Sequence, residues 1–507
     1  MPLLGLLVGL LLPDAWPGWL ERGIRFFKMH ARLTVLFLIL LLAGILIAIN
    51  RKVLLSFMNS ADEHSCFFFA QCLEAGKFWA RPHPLQAFFE TVHIGAIGDK
   101  WFSVYPPGWP LVWALGLKLH LKDVLNPWIT AVSMAFFFDS GRKTYGFSTA
   151  LLASVFLVIS PFFLMTGAAY YSHNLCLLLI LLFWSAMLRL EETGKWIWAA
   201  VAGLALGYAL GTRYLTAAAM SAPLVFQFFI QTLKNRGKNK FPFKVFSVLV
   251  FLLLGLQLFY NHLLTGRFWN PPNHYLHSHE KLGFIAGYPP ALALQYLVQR
   301  IFYLIDWTPP GWILFFLFTA FIRRPVSSRD FCLRASIVFL AAGYMLYYSW
   351  GGNQYGPRYY YEAYPFSILF VSFCLVQTWK SSALKIRKMI SGALVFSALA
   401  TIPLLIRHFT FYHQITGERR ALYDAAEKNS KLPALVFLKG FLGDSLVMAP
   451  DDSIRNSPFL DAPVVYAHDR GNDNTKLIPF FPNRHYYTGF YDRDRHRPQI
   501  ESLSTSS

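Results

Sequence analysis

Apolar runs long enough to cross a bilayer recur along most of this chain, and they restrict its possible folds more than any other feature. They fall at 33–49, 124–140, 146–166, 172–190, 197–211, 215–232, 243–264, 308–322, 333–350, 362–379 and 389–408. A spanning helix needs about 20 predominantly apolar residues, because in hydrocarbon every backbone N–H and C=O must be bonded within the segment. The pattern predicts an α-helical polytopic membrane protein with about 11 transmembrane helices. Charged residues make up 14% of the chain, against roughly 25% in soluble domains, which excludes an ordinary soluble fold.

The chain carries 46 Lys or Arg against 27 Asp or Glu, a net charge of +19. The basic residues gather in short stretches at 22–32, 234–240, 323–334 and 380–388. Excess positive charge in short loops marks the cytoplasmic side, so the charge is explained by topology and no nucleic-acid partner is expected. The segment 107–121 carries Lys118 and His120 and is short; if it spanned, the later basic loops would flip outward. It reads as a juxtamembrane or half-crossing helix. The N-terminus then lies in the cytoplasm, while the loops 51–106, 167–174 and 265–290, the segment 351–361 and the tail are expected on one outer face.

Three regions follow: an N-terminal cytoplasmic or interfacial segment 1–32, a transmembrane domain 33–408 with its first external loop at 51–123, and an external C-terminal domain 409–507. The tail is richer in Asp, Asn and Pro, and its short apolar runs at 435–438, 445–448 and 464–467 predict buried strands of a small α/β domain. Disorder is expected from about Arg493. The run 2–12 is apolar but lacks a basic leader, unlike a signal peptide; translation from Met29 instead of Met1 is the alternative start. The five cysteines show neither metal-ligand spacing nor a disulfide framework.

Against this acid-poor background, the adjacent pair Asp62-Glu63 stands just beyond the first predicted helix. Charge near hydrocarbon is expensive and tends to be functional. The residues that follow predict an amphipathic helix, so the pair suits both a helix cap and a positioned general base. Further on, 98–108 offers Lys100 and Tyr105 to an anionic headgroup, or else forms an interfacial aromatic belt. In 350–362, glycines allow close backbone approach. There Arg358 presents a planar fork suited to phosphate, beside Tyr359, although Glu362 lies four residues on as an alternative partner. Arg213, between two short helices, and His173, at the outer end of another, are candidates to line a cavity. His274, His277 and His279 have types and spacing compatible with a metal site, yet a wet loop gathers histidines readily. No phosphate-binding loop, dinucleotide fingerprint or nucleophile elbow is visible, so a soluble nucleotide donor is not indicated.

These motifs, in this order, resemble the polyprenyl-phosphate-dependent glycosyltransferases of the GT-C fold, and most closely the protein O-mannosyltransferase and lipid A aminoarabinose transferase group. The shared pattern is Asp62-Glu63 with Ala70, Leu73 and Gly76; Tyr105 to Gly108; Ser160-Pro161; Gly203, Gly207 and Arg213; and Gly356 to Tyr359. It extends over roughly 33–410. The resemblance implies a GT-C-like membrane fold and an inverting transfer on the outer face, from a polyprenyl-phosphate sugar to a hydroxyl of a glycan, lipid or protein. It assigns Asp62 as general base and Glu63 as its support in the catalytic loop. Lys100, Tyr105, His173, Arg213, Arg358 and Tyr359 fall to substrate or lipid phosphate. It implies no required cofactor, with a divalent metal as the lesser alternative, and a bacterial inner-membrane location with the C-terminus in the periplasm. Two departures stand out: His173-Asn174 occupies the place of a second acidic residue, and Tyr105 the place of a lysine. A lipid-linked sugar transporter and a noncatalytic envelope assembly factor are the competing classes; no inverted repeat of the kind transporters carry is apparent.

Overall fold

The computed structural model describes every residue except 1, 235–239, 277–281, 286, 314, 317–324, 349–351, 440–453, 493–496 and 504–507. The chain divides into two compact units, the first formed by Met1–Ile49, Asn126–Gln257 and His279–Phe409, the second by Asn50–Leu125, Leu258–Ser278 and Thr410–Ser507.

The first unit is helical. Among the described residues, five helices have the length and composition to cross a membrane: Ala31–Lys52, Ser172–Thr193, Tyr214–Lys234, Lys240–Thr265 and Leu384–Asn429. The pair Phe147–Ile159 and Pro161–Ala168, bent by 65°, makes a sixth if taken as one span. Its break has a local cause. Pro161 disfavours helical geometry at the residue before it and fits the first helical position; Ser160 accordingly sits in the β region and accepts a bond from Phe163 N–H. Other predicted runs correspond to the helices Leu125–Tyr145, Trp196–Leu210, Ser328–Met345 and Tyr364–Ser381, while much of 308–322 lies outside the described residues. A Cβ on Gly203 would come within 2.8 Å of the Phe246 carbonyl oxygen, and one on Gly207 within 2.9 Å of Leu253 Cβ. The glycine spacing in Trp196–Leu210 therefore serves close helix packing.

The helix Pro290–Trp307 was not foreseen. Arg300 and Asp306 interrupt its apolar pattern, so a hydropathy reading passes over it. The last predicted span is also extended, running to Asn429 as a 46-residue helix.

The second unit combines the first external loop with the tail. Helix Ala61–Glu74 packs on helix Gly108–Lys118. Strands β1 (Ile94–Ile97) and β2 (Lys100–Ser103) form an antiparallel hairpin around Gly98-Asp99, where Gly98 adopts φ +59, a conformation that glycine enters without penalty. In the tail, β3 (Ala434–Leu438), β4 (Val464–His468), β5 (His485–Asp492) and β6 (Arg497–Ser502) make a sheet in the order β4-β3-β5-β6, antiparallel only at β5-β6. Leu435 and Phe437 join one core with Phe68, Phe69, Trp101 and Phe102, while Val436 and Leu438 join another with Leu422, Tyr423 and Ala426. A strand buried on both faces reads as a continuous apolar run, which is why β3 and β4 were visible in the sequence. The expected strand at 445–448 lies outside the described residues.

One expectation is sharpened here and one changes. The small C-terminal sheet domain is present, and its sheet shares a core with the first external loop inside the same compact unit. The chain end is not disordered throughout, because 497–502 pairs along the edge of β5; a polar edge strand lacks the apolar signal that would have announced it.

Candidate functional site

In the second unit the site is built around the start of helix Ala61–Glu74. Ser60 is the N-cap and its Oγ accepts from Glu63 N–H at 3.2 Å. The Glu63 carboxylate reaches back and accepts from Asn59 N–H at 2.9 Å, Ser60 N–H at 3.0 Å and Ser60 Oγ at 3.1 Å. This reciprocal capping box satisfies backbone donors that a helix start otherwise leaves unpaired. Glu63 is 1% exposed, so its role is to fix the turn that carries Asp62.

Asp62 is 25% exposed and therefore reachable. Its Oδ1 accepts from the Tyr105 hydroxyl and lies 3.1 Å from His93 Nε2. These partners flank the hairpin, His93 just before β1 and Tyr105 just after β2. Ser65, three residues beyond Asp62 and so on the same helical face, donates to the His93 carbonyl at 2.6 Å and contacts Ser103 Oγ at 2.7 Å. Ser103 Oγ in turn accepts from Tyr105 N–H at 3.1 Å. One polar network thus sets the backbone on which both Asp62 partners stand. The result is a carboxylate with two donors converging on one oxygen, the arrangement a general base needs to keep its orientation.

His64, the next residue after the capping pair, faces the interior. Burial, reinforced by the Arg455 guanidinium, holds its imidazole down at about 3, well below the ordinary 6.5, opposed by a backbone bond with Ile454. It is a neutral core histidine. Lys100 was expected at a phosphate; its ammonium instead donates to the Leu263 carbonyl at 2.6 Å and lies 4.9 Å from the Trp79 ring centre.

The first unit holds a second constellation. Glu362, fully buried, meets His173 Nδ1 at 3.1 Å and Arg213 Nε at 3.4 Å. Arg213 also donates to the Tyr344 hydroxyl at 2.9 Å. Asn126 positions the neighbouring turn by donating to the carbonyls of Ala169 and Tyr171, at 2.6 and 3.0 Å. The Arg358 guanidinium lies 4.0 Å from the Tyr171 ring centre, a cation–π contact. The Tyr359 ring stacks on Tyr344 at 4.6 Å with Arg300 at 5.0 Å. Gly356, two residues before Arg358, sits at φ +98 with Phe162 and Trp307 crowding the place of a side chain, so only glycine fits there.

Asp62 and Tyr105 are thus brought together in one unit, and His173, Arg213 and Glu362 in the other. His93, Arg300 and the hub role of Glu362 were missed. His93 belongs to no motif, and its part depends on a hairpin that returns it to the Asp62 helix. Of the histidines considered for a metal, His274 is described and His277 and His279 lie outside the described residues. Among the described residues no group of three or more His, Cys, Asp or Glu side chains is arranged to hold a metal ion.

The spanning helices and overall fold define the class: an integral-membrane protein with the GT-C glycosyltransferase fold. Over 92% of its length the chain superposes on 98% of ArnT from Cupriavidus metallidurans bound to undecaprenyl phosphate, with a TM-score of 0.57 and 12% identity. The apo state of the same protein gives 0.58 and 11%, covering 92% of this chain and 94% of that one. An oligosaccharyltransferase from Archaeoglobus fulgidus, in complex with Zn and sulfate, gives a TM-score of 0.46 and 14% identity over 78% of this chain and 56% of that one. Residues 106–260 match the family described as dolichyl-phosphate-mannose-protein mannosyltransferase, and residues 434–504 match a domain of unknown function, DUF7846. No curated protein matches the sequence.

Proposed function

We propose that this protein is an inverting glycosyltransferase that moves a sugar from a polyprenyl-phosphate carrier to an acceptor hydroxyl. The observation that carries this reading is the Asp62 carboxylate, reachable and held by Tyr105 and His93, in a chain with the GT-C fold. The acceptor oxygen attacks the anomeric carbon and its proton passes to Asp62. The carbon–oxygen bond to the carrier breaks, and the lipid phosphate leaves as an anion. That leaving group calls for cationic stabilisation, a role for which the sequence motifs offer Arg358 and Arg213, and no metal is assigned a step. The undecaprenyl phosphate bound in the ArnT structure supports a polyprenyl-phosphate donor. A hexose or pentose, and a glycan, lipid or protein acceptor, all fit this chemistry. The positive charge of the short loops supports a cytoplasmic N-terminus with the reaction on the opposite face, and the proposal extends this to a bacterial inner membrane and its periplasmic side.

The test is transfer from a radiolabelled polyprenyl-phosphate sugar by the purified full chain. Asp62→Asn is expected to lower transfer by about 10²–10⁴-fold while leaving binding of the carrier intact. Unchanged transfer would remove Asp62 as the base. Translocation of the intact lipid-linked sugar across vesicles, without bond cleavage, would establish the transporter reading instead.

A further inference from the structure

The second unit contains a cleft of about 900 Å³ that the transfer chemistry does not use. One wall is the segment 77–84, the other comes from 458–460 and 480–481. Ala80 forms an isolated bridge with Trp101, with backbone bonds of 2.9 and 2.8 Å, so the chain there is extended. Ala80 is buried and Trp79 packs against the same core, while Lys77 and Arg81 are exposed along this wall.

The lining is specific in its chemistry. Phe459 is 36% and Phe480 48% exposed, and the Lys77 ammonium lies 4.8 Å from the Phe459 ring centre. The His83 ring stacks on Phe481 and meets Phe480 edge-on. His83 Nδ1 accepts from Leu85 N–H at 3.0 Å, which leaves Nε2–H as the donor of the neutral ring. Burial keeps the imidazole neutral by holding it below its ordinary range. Among the described residues neither Lys77 nor Arg81 has a carboxylate in ion-pair reach, and no acidic side chain lines the cleft.

We infer that this cleft binds an anionic saccharide. Its volume lies within the range of small-molecule sites. A pyranose presents a flat C–H face to an aromatic ring, hydroxyls to the His83 N–H, and a phosphate or carboxylate to Lys77 and Arg81. An acyl chain would need an unbroken apolar track, whereas here Lys77 and Arg81 interrupt the wall along 77–84. The site is independent of Asp62 and does not rest on the transferase reading.

The test is calorimetric titration of the purified full chain in detergent with tetragalacturonate, maltotetraose and a tetraglutamate peptide. Tetragalacturonate is expected to bind, with the neutral maltotetraose about tenfold weaker or more. Lys77→Glu and Arg81→Glu should each weaken the acidic sugar by about tenfold, and Phe480→Ser should weaken both sugars, all three at an unchanged melting temperature. Asp62→Asn should bind as the parent does, even if transfer proves absent. No binding of tetragalacturonate, binding indifferent to Lys77→Glu and Arg81→Glu, or equally tight binding of tetraglutamate would each overturn the inference.

Discussion

His93 Nε2 stands 3.1 Å from Asp62 Oδ1, the oxygen that also accepts from the Tyr105 hydroxyl. Two donors from either side of one hairpin therefore fix a carboxylate on a separate helix. A base held in this way spends little of its reaction barrier on reorientation. In the proposed transfer the relationship also separates chemistry from support: Asp62 would take the proton, and His93 and Tyr105 would position it.

That division predicts graded losses. Asp62→Asn is expected to lower kcat by about 10²–10⁴-fold, the usual worth of a general base. His93→Ala and Tyr105→Phe, each removing one orienting donor, should lower kcat by roughly tenfold and leave the donor KM unchanged. Steady-state transfer over a range of carrier concentrations separates the two parameters. A rise in KM with kcat intact would reassign His93 or Tyr105 to substrate binding.

Glu63 should behave differently from its neighbour. Glu63→Ala leaves the Asn59 and Ser60 donors without their acceptor, a loss of about 1–3 kcal/mol for a buried site. Glu63→Gln keeps the carbonyl oxygen that a capping box requires and should retain most stability and activity. Thermal unfolding of the two variants beside the parent checks this; equal melting temperatures for Ala and Gln would show that the cap contributes nothing.

The part of this architecture legible in the sequence was the part written in strong local signals. Apolar runs announced the helices, and a strand buried on both faces announced β3. The Asp62-Glu63 pair stood out because acid is scarce around it. Helix Pro290–Trp307 was hidden because Arg300 and Asp306 interrupt its periodicity, and β6 because a polar edge strand has no apolar signature. His93 was not legible at all: its link to Asp62 exists only once the hairpin has folded back on the helix. The contact of Lys100 was not legible either, since residue type suggested a phosphate and only the fold brings its ammonium to the Leu263 carbonyl.

Acid should weaken the second unit through His64. Its folded imidazole titrates at about 3, held down first by burial and then by Arg455, while an unfolded histidine titrates near 6.5. Between those values the unfolded chain binds the extra proton and the folded chain does not, so unfolding free energy rises with pH. The stabilisation is full above about pH 6.5 and declines as pH falls toward 3, by at most about 1.4 kcal/mol per pH unit. His83 and His468, also held below the ordinary range chiefly by burial, act with the same sign. Melting temperatures at pH 7 and pH 4.5 should differ less in His64→Gln than in the parent; an identical pH dependence would show that His64 does not carry it.

Arg213 has two candidate duties, and Glu362 separates them. The buried Glu362 carboxylate is met by His173 and by Arg213, so Glu362→Ala leaves a buried guanidinium without its counter-charge. Breaking such a pair from one side typically costs about 3–5 kcal/mol, and the melting temperature should fall accordingly. The double variant Glu362→Gln with Arg213→Leu should be less destabilised than the sum of its single changes, because no uncompensated charge remains. Arg213→Lys keeps a positive charge opposite Glu362 but loses the planar fork that also reaches Tyr344. If Arg213 meets the lipid phosphate as well, this variant should raise the donor KM several-fold at nearly parental stability. If it serves Glu362 alone, donor KM should stay unchanged and any loss of activity should track the melting temperature.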